Sequence, residues 1–261
     1  MGILNITPDS FSDGGELYSQ GQPSLEKTVD RAAQMIANGA HILDIGAESS
    51  RPGASPVSEQ QELDRLVPVL EALCARFESP ISVDTSTPKV IDEAAAIGVN
   101  MINDIRALAR DGAVDAVAKS GLPVCLMHMQ GDPSTMQNAP AYDNVGDEVL
   151  AYLLGRTDAC VAAGIALQNI IIDPGFGFGK TLSQNLQLFK ALPKLTALGL
   201  PVLVGVSRKS MIGHITGQEV NDRVIGSAVA AALAVRYGAS IIRTHDIIET
   251  KDAIAVAQTL G

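Results

Sequence analysis

Short apolar runs rich in Ile, Val and Leu recur along this chain, separated by longer stretches in which apolar residues return every three or four positions. The short runs read as buried strands and the longer stretches as amphipathic helices. Strands are predicted at 2–6, 41–45, 80–83, 100–103, 123–127, 169–172, 201–204 and 239–242. Helices are predicted at 25–37, 59–77, 88–96, 113–119, 145–163, 186–195, 222–237 and 247–258. Small-residue breaks such as NGA at 38–40 and YGAS at 237–240 precede most strands, as helix ends followed by strand entry. Eight alternating units predict an α/β fold, a closed (β/α)8 TIM barrel, with a doubly wound open sheet as the alternative. An open sheet would place a Gly-rich phosphate turn after its first strand, whereas the first loop here is polar. With no linker and no low-complexity stretch, residues 1–261 are expected to form a single domain.

In a parallel barrel the chemistry sits at the carboxyl ends of the strands. Those ends carry Asn5, then Asp44 with Glu48, Ser50 and Arg51 in the loop after it, then Asp84. Asn103 and Asp104, His128, Asp173, the run Ser207–Arg208–Lys209, and Arg243 with His245 follow in turn. Any single one of these reads equally well as a loop or helix cap. All eight strands ending in polar groups is harder to attribute to capping. The set sorts into two ends. Asn5, Ser50, Arg51, Arg243 and His245 are neutral or cationic, and the planar fork of Arg matches phosphate oxygens. Asp84, Asn103, Asp173 and Lys209 offer acceptors and donors on a small footprint, suited to a flat heterocycle with amino and ring N–H groups.

Composition narrows the classes. The chain has 261 residues, 46% of them hydrophobic and only 3% aromatic with no Trp, so branched aliphatics must fill the core. Its formal charge of −10 argues against nucleic acid or an acidic membrane as partner. Cys74, Cys125 and Cys160 are too few and too widely spaced for a disulfide framework or a metal knuckle, and read as reduced thiols. No leader and no membrane-length apolar run is apparent, so a cytoplasmic protein is expected. The FGFGK run at 176–180 lacks the full spacing of a phosphate loop. His128 is expected to be structural, His41 and His214 to lie at the surface, Asp44 and Glu48 to brace the second loop, and Met35, Met101 and Met211 to pack.

Eight segments stand in order across essentially the whole chain: GILNITPDSFSDGG (2–15), DIGAESSRPGA (44–54), SVDTSTPKV (82–90), INDI (102–105), MHMQG (127–131), IIDPGFGFGK (171–180), LVGVSRKSMIG (203–213) and RTHD (243–246). Together they resemble the dihydropteroate synthases. The resemblance implies a transferase of folate biosynthesis. It would condense 6-hydroxymethyl-7,8-dihydropterin pyrophosphate with p-aminobenzoate, with Mg2+, giving 7,8-dihydropteroate and pyrophosphate. It implies that Asp84, Asn103, Asp173 and Lys209 hold the pterin, with Ile105 and Met127 packing on the ring. Asn5 resembles the magnesium ligand, and Asn5, Arg51, Arg243 and His245 the pyrophosphate-binding set. Phe11, Ser50, Arg51, Pro52, Phe178, Ser207 and Lys209 resemble the p-aminobenzoate site. Phe11 and Asp13 fall in the family's mobile first loop, and Asp84, Lys209 and Asp13 are the residues expected to act in catalysis.

The resemblance also implies a dissociative, SN1-like path, sulfonamide inhibition competitive with p-aminobenzoate, and a homodimer through the last helices. The Ala-rich run at 226–235 would suit such an interface, although core packing accounts for it equally well. Two departures stand out. Family members usually carry a hairpin before the first strand, so the sequence is expected to be truncated or the hairpin to be dispensable. Position 50 is Ser where Thr is frequent, which keeps the hydroxyl, and the loop reads GAES where GGES is common. Two rivals remain: a pterin-binding corrinoid methyltransferase domain, and an inactive pterin-binding homologue. Neither would need Asn5, SRKS and RTHD together.

Overall fold

The computed structural model describes residues 1–7, 18–19, 22–49, 57–133 and 135–260. Among the described residues eight short strands run parallel: β1 Gly2–Asn5, β2 Leu43–Gly46, β3 Ile81–Asp84, β4 Met101–Asp104, β5 Val124–Met127, β6 Ile170–Asp173, β7 Leu203–Val204 and β8 Ile241–Ile242. β1 to β6 pair in sequence order, β7 pairs with β8, and bridges Ile172↔Val202 and Gly2↔Thr244 close the ring. The eight predicted strands are all present, most of them beginning a residue or two later than expected. A two-residue antiparallel ribbon, Tyr18–Ser19 with Gln22–Pro23, was not anticipated within the polar first loop.

Among the described residues ten α-helices surround the strands: α1 Leu25–Ala37, α2 Glu59–Arg76, α3 Pro88–Ile97, α4 Ala113–Ser120, α5 Val145–Ala162, α6 Leu182–Lys190, α7 Leu192–Thr196, α8 Ser210–Thr216, α9 Val224–Arg236 and α10 Ile247–Leu260. The single helix expected at 186–195 is two. Thr181 and Gln184 form a capping box that starts α6 early, and Pro193 sits in the first turn of α7. α8 is an addition at the end of the SRKS segment.

Two apolar layers follow from the period-two alternation of the strands. Outward-facing Leu4, Ile45, Val83, Ile102, Leu126 and Ile172 pack against the helices in one large cluster. Met101, Cys125, Ile171 and Leu203 form a separate small cluster. They share the strand face of Asn103, Met127 and Asp173, so they fill the barrel interior beneath the polar residues. Aliphatic and thiol side chains thus plug the barrel and leave its carboxyl-end mouth polar, as the composition requires.

Candidate active site

Register places the polar residues on one floor. Asn5 stands beside Gly46, Gly46 beside Asp84, and Asp84 beside Asn103. Gly46 keeps that floor open: a Cβ there would lie 3.3 Å from the Asp84 Cβ and 3.6 Å from Asn5 Oδ1. Across the barrel Arg243 leaves β8 and reaches two carboxylates. Its Nε donates to Asp44 Oδ2 at 2.6 Å and its Nη2 to Asp84 Oδ2 at 2.9 Å. Asn103 Nδ2 also donates to Asp44 Oδ2, at 3.1 Å. Asp44 is therefore part of the site's framework, a correction to its expected role as a brace of the second loop. Its side chain lies inside the barrel, one pleat below the rim, where Arg243 and Asn103 reach it.

Glu48 does brace. It takes both Nη groups of Arg106, at 3.1 and 3.3 Å, and Arg106 Nη1 also donates to Ser86. Ser86 in turn donates to buried Asp104.

The loop after β6 positions the lysine. Gly175 N donates to Asp173 Oδ1 at 2.7 Å, and the buried ring of Phe176 packs on Phe189 with centroids 5.6 Å apart. That anchor fixes the Phe176 carbonyl, which accepts from Lys209 Nζ at 2.5 Å. The ammonium also stands 4.6 Å from the centroid of the Phe178 ring. Lys209 is aimed from the other side by Arg208, a non-glycine residue at φ 56°. Such a left-handed residue costs about 1–2 kcal/mol and persists only where its surroundings fix it. Here they do: Arg208 pairs with both oxygens of Asp246, donates its N–H to Ser227 Oγ, and accepts from Arg223 at its carbonyl. Arg208 thus serves the turn, with its charge spent on Asp246.

Beneath the same loop lies Lys180, a buried residue that sequence reasoning weighed only as a failed phosphate loop. Its Nζ donates to Gly175 O at 2.8 Å and Phe178 O at 2.9 Å, and lies 3.0 Å from His128 Nδ1. Burial and the Lys180 charge pull His128 down to about 3, so its ring is neutral and accepts at Nδ1. His128 is structural, as expected. A lysine following three alternate glycines was the signal available for Lys180.

The titrating groups are mutually dependent. Burial raises Asp84 and Asp173 above the usual carboxylate range, while Arg243 pulls the first back and Lys209 the second. Burial lowers Lys209 to about 8 against the attraction of Asp173. For Arg243, burial works against the charge, but Asp44 and Asp84 outweigh it and raise the guanidinium further.

Of the residues expected in the site, Asp84, Asn103, Asp173, Lys209 and Arg243 are brought together, with Phe178 beside Lys209 and buried Ile105 and Met127 at the ends of β4 and β5. Ser207 turns to His245: its Oγ lies 3.0 Å from Nδ1 and accepts the His245 N–H at 3.1 Å. It orients the His245 imidazole. Phe11, Asp13, Ser50, Arg51 and Pro52 lie outside the described residues. Among the described residues no group of three or more His, Cys, Asp and Glu is arranged to hold a metal ion.

A sequence profile described as pterin binding enzyme matches residues 1–245. The dihydropteroate synthase of Escherichia coli (strain K12) is 52% identical over 258 residues, covering 99% of this chain and 90% of that protein. That of Haemophilus influenzae is 51% identical, covering 99% and 92%. The crystal structure of the Yersinia pestis dihydropteroate synthase with a sulfonamide drug complex superposes with a TM-score of 0.95 at 50% identity, covering 100% of this chain and 93% of that one. The Xanthomonas albilineans enzyme with 4-aminobenzoic acid gives 0.91 at 48% identity, covering 100% and 92%. The chain belongs to the family of pterin binding enzymes. Within it, the chain sits with the dihydropteroate synthases, the name carried by each of these relatives.

Proposed function

We propose that this chain joins a dihydropterin carrying a diphosphate on its exocyclic methylene to p-aminobenzoate, releasing pyrophosphate and forming 7,8-dihydropteroate. The observation that carries this reading is the floor itself. Asp84, Asn103 and Asp173 present acceptors and a donor for a flat amino-heterocycle, and Arg243, paired to Asp84, reaches toward the diphosphate end. In the reaction the methylene carbon–oxygen bond breaks and its electron pair leaves with the diphosphate. The pterin ring takes up the positive charge, and the Asp84 carboxylate stabilises it there. The aniline nitrogen attacks the methylene carbon and then loses a proton. As an amine with a free pair at neutral pH it needs no strong base. Arg243 and His245 offset the negative charge on the departing oxygens, and Lys209 with the Phe178 ring orients the second substrate.

Asn5 fits the magnesium the family implies. Its amide is a neutral hard oxygen beside the open floor over Gly46, and magnesium is commonly held by few protein groups plus substrate phosphates. When bound it would supply positive charge at the leaving oxygens. By the resemblance, Arg51 is proposed to bind the diphosphate, Phe11, Ser50, Arg51 and Pro52 to receive p-aminobenzoate, and Asp13 to act in catalysis.

The test is pyrophosphate release on mixing the protein with the dihydropterin diphosphate, p-aminobenzoate and Mg2+. Release dependent on p-aminobenzoate, competitively blocked by a sulfonamide, is expected; no p-aminobenzoate-dependent release overturns the reading. For the path, rates that vary little across anilines of different basicity are expected, and a steep linear rise with basicity overturns a dissociative step.

A homodimer is proposed through α9 and α10. Ile225 (79% exposed), Val229, Leu233 and Tyr237 repeat every fourth residue of α9 and its cap, and Ile248 and Val256 are exposed on α10, which packs beside it. An exposed apolar stripe of this kind suits a self-complementary contact. Val229→Asp should shift the mass in light scattering from dimer to monomer, and an unchanged mass would remove α9 from the interface. The three unpaired thiols suit the reducing cytoplasm. No helix among the described residues is long and apolar enough to cross a membrane.

A further inference from the structure

Asp44 has no exposed surface, and its two oxygens are treated unequally. Oδ2 accepts from Arg243 Nε at 2.6 Å and from Asn103 Nδ2 at 3.1 Å. Oδ1 is buried with no hydrogen-bond partner among the described residues. An unmet buried acceptor costs about 1–3 kcal/mol, so a carboxylate kept only for packing is a poor choice here. What Asp44 does uniquely is grip Arg243 by Nε. A guanidinium held at Nε keeps its charge paired while its Nη edge is left to serve something else. In this structure Nη2 serves Asp84, at 2.9 Å. Arg243 therefore occupies Oδ2 of the carboxylate that the proposed reaction needs for the pterin, while the same reaction needs Arg243 for the diphosphate. Its other Nη N–H groups are available to an anion, and a diphosphate that draws the guanidinium toward itself frees that Asp84 oxygen for the pterin.

We propose that Asp44 is a positioning residue, a fixed pivot on which Arg243 turns from Asp84 to the diphosphate of the incoming substrate. The proposal rests on the reaction proposed above. Rotation about the Nε–Asp44 contact keeps the buried guanidinium paired in both positions, which removes the main energetic barrier to such an exchange. It also couples the two halves of the substrate site. A diphosphate that draws Nη2 away uncovers the Asp84 acceptor, so the diphosphate should tighten pterin binding, and by reciprocity the pterin should tighten the diphosphate. Asn103 shares the same Asp44 oxygen, so its amide keeps one orientation throughout.

The exchange is tested on the wild-type protein by titration calorimetry with 6-hydroxymethylpterin, with and without saturating inorganic pyrophosphate and Mg2+. Pterin binding should tighten by about tenfold when pyrophosphate is present; independent binding overturns the exchange. The pivot is tested with Asp44→Asn. Removing a negative charge beneath an anion site would, by electrostatics alone, tighten pyrophosphate. The pivot requires the opposite: pyrophosphate should weaken by about tenfold and its coupling to the pterin should vanish. Unchanged or tighter pyrophosphate overturns it. Ser82→Ala changes the register partner of Asp44 without touching Arg243, and should leave pyrophosphate affinity within about twofold. Should Asp44→Asn not fold, Asp44→Ser is read by the same criteria, and the wild-type coupling stands as a measurement needing no variant. A wild-type protein that neither binds pyrophosphate nor forms product defeats the reaction and the pivot together. An active wild-type protein with a negative Asp44→Asn result defeats the pivot alone.

Discussion

Replacing Lys180 with Met is the sharpest test of how the site is supported, because the change keeps volume and removes only the ammonium. In the wild-type protein that ammonium donates to Gly175 O at 2.8 Å and Phe178 O at 2.9 Å, and faces His128 Nδ1 at 3.0 Å. A fourth acceptor, His128 O, lies farther off at 3.4 Å, and with 3% of the residue exposed no solvent stands in for the ammonium. In the variant Gly175 O still accepts the Phe178 N–H at 3.1 Å, so Phe178 O and His128 Nδ1 are the acceptors left unmet, at about 1–3 kcal/mol apiece. Against this, the wild type bears the cost of burying an ammonium, several kcal/mol after relaxation. The difference comes to a loss of about 2 kcal/mol. For a chain of 261 residues that corresponds to a fall of about 4 °C in Tm.

The consequence for activity is specific. The carbonyls that Lys180 gathers belong to the loop that gives Phe176 O and the Phe178 ring to Lys209. With the loop released, Lys209 loses its fixed acceptor, and kcat/KM should fall by more than tenfold at a temperature where the variant is still fully folded. Urea unfolding gives the stability term and initial rates of pyrophosphate release give the second. A variant within about 0.5 kcal/mol of wild type with unchanged kcat/KM would refute the reasoning, because surface-like behaviour is incompatible with two buried acceptors left unmet. A stability loss without a rate loss would confine Lys180 to folding.

Gly175→Ala should be more damaging than most glycine substitutions, since its Cβ would meet His128 O at 1.9 Å and its φ is +67°. We expect a loss of about 3 kcal/mol or more with activity abolished, whereas Gly98→Ala, at φ +104° with nothing within 4 Å, should cost only about 1 kcal/mol in the same melting assay. Lys209, lowered to about 8 by burial, should make kcat/KM fall as pH rises through that value, and a flat profile from pH 7 to 9.5 would show that its proton is not required. For stability the sign is opposite: above its folded value the unfolded chain holds the extra proton, so this group's stabilising contribution is complete above its ordinary 10.5 and is lost as pH falls through about 8. Ser58→Ala removes the capping box that starts α2 and should lower stability by about 1 kcal/mol with rates unchanged.

The parts of this molecule that were legible in its sequence are those set by local pattern. Apolar runs located all eight strands, and the strand ends carried Asp84, Asn103, Asp173, Lys209 and Arg243 because a parallel barrel delivers every strand to one face. What escaped was non-local. Asp44 sits one pleat below the rim, and its meaning depends on Arg243, 199 residues away. Lys180 was discounted for failing a phosphate-loop spacing, when its role is to hold backbone carbonyls of its own loop. The left-handed turn at Arg208 is imposed by Asp246, Ser227 and Arg223, none of which is adjacent in sequence. The early start of α6 was written in Thr181–Gln184, a capping signal overlooked because the apolar periodicity begins later.

Charge explains how an acidic chain is suited to an anionic substrate. The net charge is −10, yet at physiological ionic strength exposed charges more than about 8 Å away are largely screened. What governs binding is the arrangement at the floor, where the carboxylates of Asp44 and Asp173 lie deep, at 0% and 6% exposure, and Arg243 and Lys209 lie over them. Without substrate Asp44 and Asp84 neutralise Arg243, while burial still pulls Lys209 down to about 8 against the attraction of Asp173. A diphosphate approaching from above meets the outer edges of those same cations, and its attraction is felt at short range in a poorly screened environment. The acidic exterior therefore bears on the rate of encounter, while affinity is set by how far Arg243 is drawn from Asp84. A neutral substrate edge meeting Asp84 and a charged one meeting Arg243 are opposite demands on a single ion pair, and the site resolves them by holding the shared guanidinium at its third nitrogen.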